Sequence, residues 1–187
     1  TLEEIRSPEM VVDAYMQQLD AFEKGQIELD LDVNPQLAAL NNPYDTGARD
    51  KKEVAYHWDR AYYNGKYYSY FGLAPLFMVY YPVFWLTGML PTTAFAGLLL
   101  SVFAVVMIFA AVHALIRLFT PRANLLLLLA GELAVVCGSF LYLMQASSSS
   151  FYYLPLIAAA GWLAAFTALA SLAFLACRPA AGPVSHI

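Results

Sequence analysis

The residues best suited to chemistry are two acids, Asp13 and Asp59, and the polar groups beside the second acid. A carboxylate held near an aromatic wall can act as a general base or as a metal ligand, and tyrosines and tryptophans crowd the sequence around Asp59. His57, two residues earlier, could share a divalent metal with Asp59, although a His-x-Asp spacing alone is a weak metal signal. The identity of any metal stays open.

Two cations follow in the same stretch, Arg60 and Lys66. They could hold a phosphate group, arginine through paired hydrogen bonds and lysine as a point charge. The competing interpretation is structural: Asp59 and Arg60 form a local ion pair, while Lys66 extends toward lipid headgroups. Residue types alone favour this structural interpretation.

The composition indicates an integral membrane protein, because 60% of the 187 residues are hydrophobic. Charge is divided unevenly along the chain: residues 1–66 hold 13 acidic and 7 basic side chains, a net charge of −6. Binding of nucleic acid needs a basic surface, so we expect no nucleic-acid partner. Cys137 and Cys177 lie in or beside apolar runs and are expected to stay unpaired.

An amphipathic helix is predicted over residues 8–24, with Ser7 as its N-cap and Gly25 as its terminator. Apolar residues recur at helical spacing on one face. The polar face, which we expect to be solvated, carries Asp13, Gln17, Asp20 and Lys24.

The rest of the polar region shows weaker patterns. Residues 27–33 alternate apolar and acidic, which predicts a short strand or an extended segment. Residues 34–55 contain several turn signals and are expected to be irregular, with a helical turn at 36–40. The aromatic stretch 56–88 is predicted to be a water-facing loop that enters the membrane surface, since Tyr and Trp prefer that boundary.

The remaining sequence predicts an all-α membrane protein. An extracytoplasmic domain of helical and irregular structure (1–72) is followed by an interfacial juxtamembrane helix (73–90), whose apolar run is too short to span. The transmembrane region is predicted over residues 91–178, with spans at 92–119, 123–145 and 151–177. A cytoplasmic tail follows at 179–187.

Orientation follows from three arginines. Loops rich in Lys and Arg stay cytoplasmic, which places Arg117, Arg122 and Arg178 inside and residues 1–66 outside. If residues 73–88 spanned the membrane, the segments on one side of it would break this charge rule. We therefore prefer the interpretation of 73–88 as an interfacial helix. His113 and Glu132 would lie at similar depth within adjacent spans, and we expect them to form a structural hydrogen-bonded pair.

A family resemblance emerges from the order of several motifs: Asp13-x-Tyr15, a helix ending at Gly25, Trp58-Asp59, Asn64-Gly65, Tyr67-Tyr68, Pro75-Leu76 and the sequence YYPVFWLTG. This order resembles the first outer loop of bacterial GT-C-type membrane glycosyltransferases, which include protein O-mannosyltransferases and aminoarabinose lipid A transferases. The resemblance covers roughly residues 10–120. Three features differ: Ala14 stands where relatives often have Glu, Gly72-Leu73-Ala74 stand where they often have a lysine just before the proline, and loop 145–151 lacks the second acid that many members carry.

The resemblance implies transfer of a sugar from a polyprenyl-phosphate carrier in the bacterial inner membrane. By resemblance Asp13 would be the catalytic base, and Asp59 is kept as a second catalytic candidate because of its residue type and polar neighbours. Residues expected to bind substrate or lipid are Tyr15, His57, Arg60, Asn64, Lys66, Tyr67, Tyr68 and Tyr70. The chain would be an N-terminal portion that lacks its first helix and partners with further helices of a larger protein. The alternative is a non-catalytic membrane module that presents its outer domain for envelope assembly or binding.

Overall fold

The structure is a computed structural model that describes residues 13–138 and 151–177. The chain divides into two compact units, residues 1–92 and 93–187. Within the described residues the protein is mostly helical, as predicted.

The first unit begins with helix α1 (Ala14–Glu23), whose N-cap is Asp13 in extended backbone. The helix ends as predicted: Gly25 adopts a φ of 73°, its N–H bonds the Phe22 carbonyl, and the Gln26 N–H bonds the Ala21 carbonyl. Ser7 and the first predicted turn lie outside the described residues.

The predicted position of Asp13 on a solvated helix face is wrong. Its backbone is extended, so the helix does not run through it, and only 5% of the residue is exposed. The physical reason is capping: the first-turn N–H groups of a helix have no internal partner, and an aspartate carboxylate supplies one. Asp20, which the sequence placed on the same face, is also buried.

Residues 27–33 form one antiparallel bridge, in which Leu29 pairs with Tyr67. The predicted alternation is present, since Leu29 is buried and the acidic residues Asp30 and Asp32 are exposed. Two short helices follow, α2 (Pro35–Ala38) and α3 (Thr46–Lys51), capped by Asn34 and Asp45. Helix α2 overlaps the predicted turn, whereas α3 lies in a segment that was predicted to be irregular.

A short β-hairpin, which the sequence analysis did not predict, lies within the mostly helical protein. Strands β1 (Ala61–Tyr63) and β2 (Lys66–Tyr68) pair antiparallel around Asn64 and Gly65, whose φ angles of 47° and 74° are both left-handed. Asn-Gly is the preferred sequence for such a two-residue turn. The core beneath the hairpin consists of Ala21, Leu29, Leu37, Val54 and Tyr67.

The last part of the first unit is an apolar helix, Leu76–Thr87, which is π-helical over Leu76–Tyr80 and continues as α4 (Tyr81–Thr87). In the π-helical part the Tyr81 N–H bonds the carbonyl of Leu76, five residues earlier. Pro82, the second residue of α4, has no N–H to donate to the preceding turn, so regular α-helical hydrogen bonding is interrupted where the π-helical part meets α4. At about 1.5 Å per residue the helix is roughly 18 Å long, shorter than a bilayer core of about 30 Å.

The second unit contains α5 (Thr93–Phe119), α6 (Leu125–Gly138), a single 3₁₀ turn (Phe151–Tyr153) and α7 (Leu154–Ala176). Among the described residues, the helices Thr93–Phe119 and Phe151–Ala176 are long and apolar enough to cross a membrane. Length and composition therefore weakly indicate membrane association. The predicted span 123–145 extends past Gly138 into residues outside the described ranges.

Helices α5 and α7 pack through small residues. A Cβ atom added at Gly161 would lie 2.4 Å from Phe103 Cε1 and 3.2 Å from the backbone of Ala104, so glycine is required there. Between α5 and α6, His113 Nδ1 lies 3.3 Å from Glu132 Oε1, which confirms the predicted pair. Cys137 and Cys177 are free and exposed, as expected.

Candidate functional site

The carboxylate of Asp13 is the centre of a buried polar cluster in the first unit. Its Oδ1 accepts hydrogen bonds from the backbone N–H groups of Tyr15, at 2.9 Å, and Met16, at 2.8 Å. Its Oδ2 accepts one from the hydroxyl of Tyr80 at 2.6 Å. Two elements therefore position this acid: the first turn of α1 and the π-helical segment Leu76–Tyr80.

Two tyrosine rings form the apolar wall of this cluster. The rings of Tyr15 and Tyr80 lie 5.3 Å apart and both residues are almost fully buried. The Tyr15 hydroxyl donates to the Gly72 carbonyl at 3.2 Å. Burial raises the pKa of Tyr15 above its usual range, and the nearby Asp13 charge raises it further. The Tyr15 hydroxyl therefore stays protonated at neutral pH, next to an acid that is shielded from water.

Arg60 connects the two acids electrostatically. Its Nε donates to Gln17 Oε1 at 2.7 Å, and one terminal nitrogen donates to the Asp59 carbonyl at 3.0 Å. Burial lowers the pKa of Arg60, and the negative charges of Asp13 and Asp59 oppose that shift. The positive charge of the guanidinium thus interacts with the negative charges of both carboxylates.

Asp59 occupies the open side of this cluster. Its φ of 59° is left-handed, a conformation that aspartate tolerates better than most residues. Its Oδ1 accepts a hydrogen bond from the Tyr70 hydroxyl at 3.3 Å, and Tyr70 is 59% exposed. Desolvation raises the pKa of Tyr70, and Asp59 raises it further. The structure therefore brings five predicted site residues into one cluster, hereafter the Asp13 cluster: Asp13, Tyr15, Asp59, Arg60 and Tyr70.

Lys66 has a different partner from the one its predicted role requires. Its ammonium group bonds the carboxylate of Glu28, and both side chains are partly exposed. This hydrogen bond raises the pKa of Lys66 and lowers that of Glu28. An ion pair with Glu28 competes with any phosphate for the same ammonium group.

The other predicted residues follow the hairpin. Asn64 forms its exposed turn, Tyr68 is half-buried on β2, and Tyr67 is buried in the core. The backbone N–H of His57 donates to the Tyr67 hydroxyl at 3.4 Å, and the two rings meet edge to face. In residues 13–138 and 151–177, no group of three or more His, Cys, Asp or Glu side chains could hold a metal.

Two hydrogen-bond partners of the Asp13 cluster, Tyr80 and Gln17, were not among the predicted site residues. Tyr80 lies 67 residues from the acid that it contacts, and no local pattern predicts such a contact. Helical spacing did place Gln17 on the same face as Asp13, but its hydrogen bond to Arg60 joins residues 43 positions apart and has no local signal.

Comparison with known proteins adds no relative. No protein-family model matches the chain, and neither a curated protein nor a solved structure matches it. A function for this chain is therefore supported by the chemistry and geometry of its own residues.

Proposed function

We propose that the chain is part of a membrane glycosyltransferase that transfers a sugar from a polyprenyl-phosphate carrier to a cell-envelope acceptor. The observation that supports this is the Asp13 cluster: a buried carboxylate held by three hydrogen bonds, with an arginine that interacts with it and with a second acid. An acid that is fixed and shielded in this way suits proton abstraction, and the arginine suits a phosphate.

In this proposal Asp13 takes the proton of the acceptor hydroxyl as the hydroxyl oxygen attacks the anomeric carbon. The bond between that carbon and the carrier phosphate oxygen breaks, and the phosphate leaves with the bonding electrons. Arg60 stabilises the negative charge on the leaving phosphate. Because Lys66 pairs with Glu28, Arg60 is the better candidate of the two predicted cations. Asp59 and Tyr70 then border the path of the sugar.

The membrane setting belongs to the same proposal. The first unit lies outside the bacterial inner membrane, and three spans follow it. Helix Leu76–Thr87 lies in the outer leaflet, and its exposed side chains Phe77, Trp85 and Leu86 suit that position. The placement puts Asp13 near the membrane surface, because Tyr80 of that helix bonds it directly. A lipid-linked donor would be accessible there.

A second candidate function is a non-catalytic membrane module that presents the first unit for envelope assembly or binding. One observation favours it. The hydrogen bonds from Tyr15, Met16 and Tyr80 account for the burial of Asp13 without any reaction, because the acid caps one helix and joins it to another.

The two candidates differ in what Asp13→Asn would do to the full-length protein in membranes. Asparagine caps helices about as well as aspartate, so the fold is kept while the basic carboxylate is lost. Transfer of labelled sugar from a polyprenyl-phosphate donor pool should fall by at least about 100-fold, the usual contribution of a positioned base. Asp59→Asn shows whether the second acid is also required.

Asp45→Asn is the matched control, since Asp45 also caps a helix but is exposed and lies outside the Asp13 cluster. Its transfer rate should equal that of the wild type. Unchanged transfer in both the Asp13 and Asp59 variants, or no transfer by the wild type across several donors, would refute the glycosyltransferase and leave the non-catalytic module.

A further inference from the structure

A second concave site lies in the first unit and shares no lining residue with the Asp13 cluster. It is an open cavity of about 360 Å³, and the lining residues that matter here are Asp32, Val33, Pro35, Tyr56, His57 and Tyr67. Small-molecule sites in proteins span about 300–1,000 Å³, so the cavity is large enough for a small ligand. The end of the extended segment 27–33 forms one wall, and residues 55–57 form another.

Polar groups of this cavity are available to a ligand. Among residues 13–138 and 151–177, no hydrogen bond or ion pair engages the carboxylate of Asp32 or a ring nitrogen of His57. The Tyr67 hydroxyl accepts a hydrogen bond from the His57 N–H and still has a proton to donate. An acceptor, an imidazole and a hydroxyl thus line a cavity whose other walls are apolar.

Charged ligands fit this cavity poorly. An anion such as a phosphate would meet the Asp32 carboxylate, and no lysine or arginine is among the lining residues. A cation would pair with the Asp32 carboxylate, but it would leave the Tyr67 hydroxyl proton without an acceptor and would find little open aromatic face. The guanidinium of Arg49 already lies 4.4 Å from the ring centroid of Tyr56, and the rings of His57 and Tyr67 meet edge to face at 5.1 Å. The remaining ligand class is neutral and polar, with both hydroxyl edges and apolar faces.

We propose that this cavity binds a neutral saccharide. Asp32 accepts hydrogen bonds from sugar hydroxyls, His57 and Tyr67 donate to or accept from others, and the sugar C–H faces pack on Val33 and Pro35. As a site for the acceptor glycan the cavity rests on the proposed function, but its binding of saccharide can be measured without any transfer.

The test uses the full-length protein in lipid nanodiscs, because sugar-based detergents would compete for the cavity. Isothermal titration with neutral disaccharides of glucose, galactose, mannose and N-acetylglucosamine should show saturable binding by at least one, with a Kd on the order of 1 mM. Asp32→Ala should weaken that binding about tenfold, the usual effect of losing a hydrogen bond to a charged group. His57→Ala should weaken it as well.

Asp30→Ala is the matched control, because Asp30 lies on the same segment but outside the cavity and pairs with Lys24. Its affinity should equal that of the wild type. The proposal is overturned if no disaccharide binds, if Asp32→Ala and His57→Ala bind as tightly as wild type, or if only phosphorylated sugars or peptides bind. If the protein transfers sugar but binds no saccharide, the saccharide site alone is refuted. If it binds saccharide but transfers no sugar, the proposed glycosyltransferase activity alone is refuted.

Discussion

Replacing Asp13 by alanine should destabilise the first unit far more than removing an ordinary helix cap. The carboxylate supplies the N-cap of α1, which is worth about 1 kcal/mol. It also accepts a hydrogen bond from the Tyr80 hydroxyl, and loss of such a bond to a buried hydroxyl costs about 1–3 kcal/mol. Asp13→Ala should therefore cost about 2–4 kcal/mol. Asp45→Ala, which removes only the exposed cap of α3, should cost about 1 kcal/mol.

Hydrogen exchange followed by mass spectrometry measures these costs locally. Peptides from α1 and from Leu76–Tyr80 should lose protection together in Asp13→Ala, because Asp13 joins the two elements. A double-mutant cycle with Tyr80→Phe isolates the contact, and the two substitutions should be clearly non-additive. The structural role assigned to Asp13 would be refuted if the stability costs of Asp13→Ala and Tyr80→Phe were additive. It would also be refuted if Asp13→Ala cost no more than Asp45→Ala.

Two further predictions concern stability. The pKa of Tyr15 is raised above its unfolded value of about 10, so its contribution to stability is present below that pH and is lost as the pH rises further. Urea unfolding should show this alkaline loss, and Tyr15→Phe should show less of it, because the raised pKa of Tyr70 adds a loss of the same sign. Gly161→Ala should lower the free energy of unfolding by about 1–3 kcal/mol, because it forces a Cβ atom against Phe103. Gly138→Ala, which has open space around the added Cβ atom, should not lower it, and thermal unfolding in nanodiscs compares the two variants.

Several features of the fold could be predicted from local sequence. Gly25 ends α1 because glycine adopts the left-handed conformation there at little cost, and this signal needs no tertiary information. The pairing of His113 with Glu132 followed from the cost of isolated polar groups in an apolar environment. The hairpin was also predictable from Asn64-Gly65, but the aromatic content of the stretch was interpreted as a membrane signal instead.

The candidate site was harder to predict because it is built from distant segments. Asp13 and Tyr80 meet only once α1 and the π-helical segment have packed, and nothing in either local sequence specifies the other. The partner of Lys66 shows the same difficulty, since Glu28 lies 38 residues away. Which cation faces a phosphate and which one pairs with an acid is decided by tertiary packing rather than by residue type.

The hydrogen bond between Asp13 and Tyr80 also affects the order in which the first unit folds. It joins residues that are 67 positions apart and so closes a ring containing most of that unit. Closing a loop of this length costs roughly 4 kcal/mol of chain entropy, whereas the hairpin and the short helices close much smaller loops. The local elements therefore form first and the ring closes late. A contact that forms late slows unfolding more than it speeds folding, so Asp13 and Tyr80 mainly lengthen the lifetime of the folded unit.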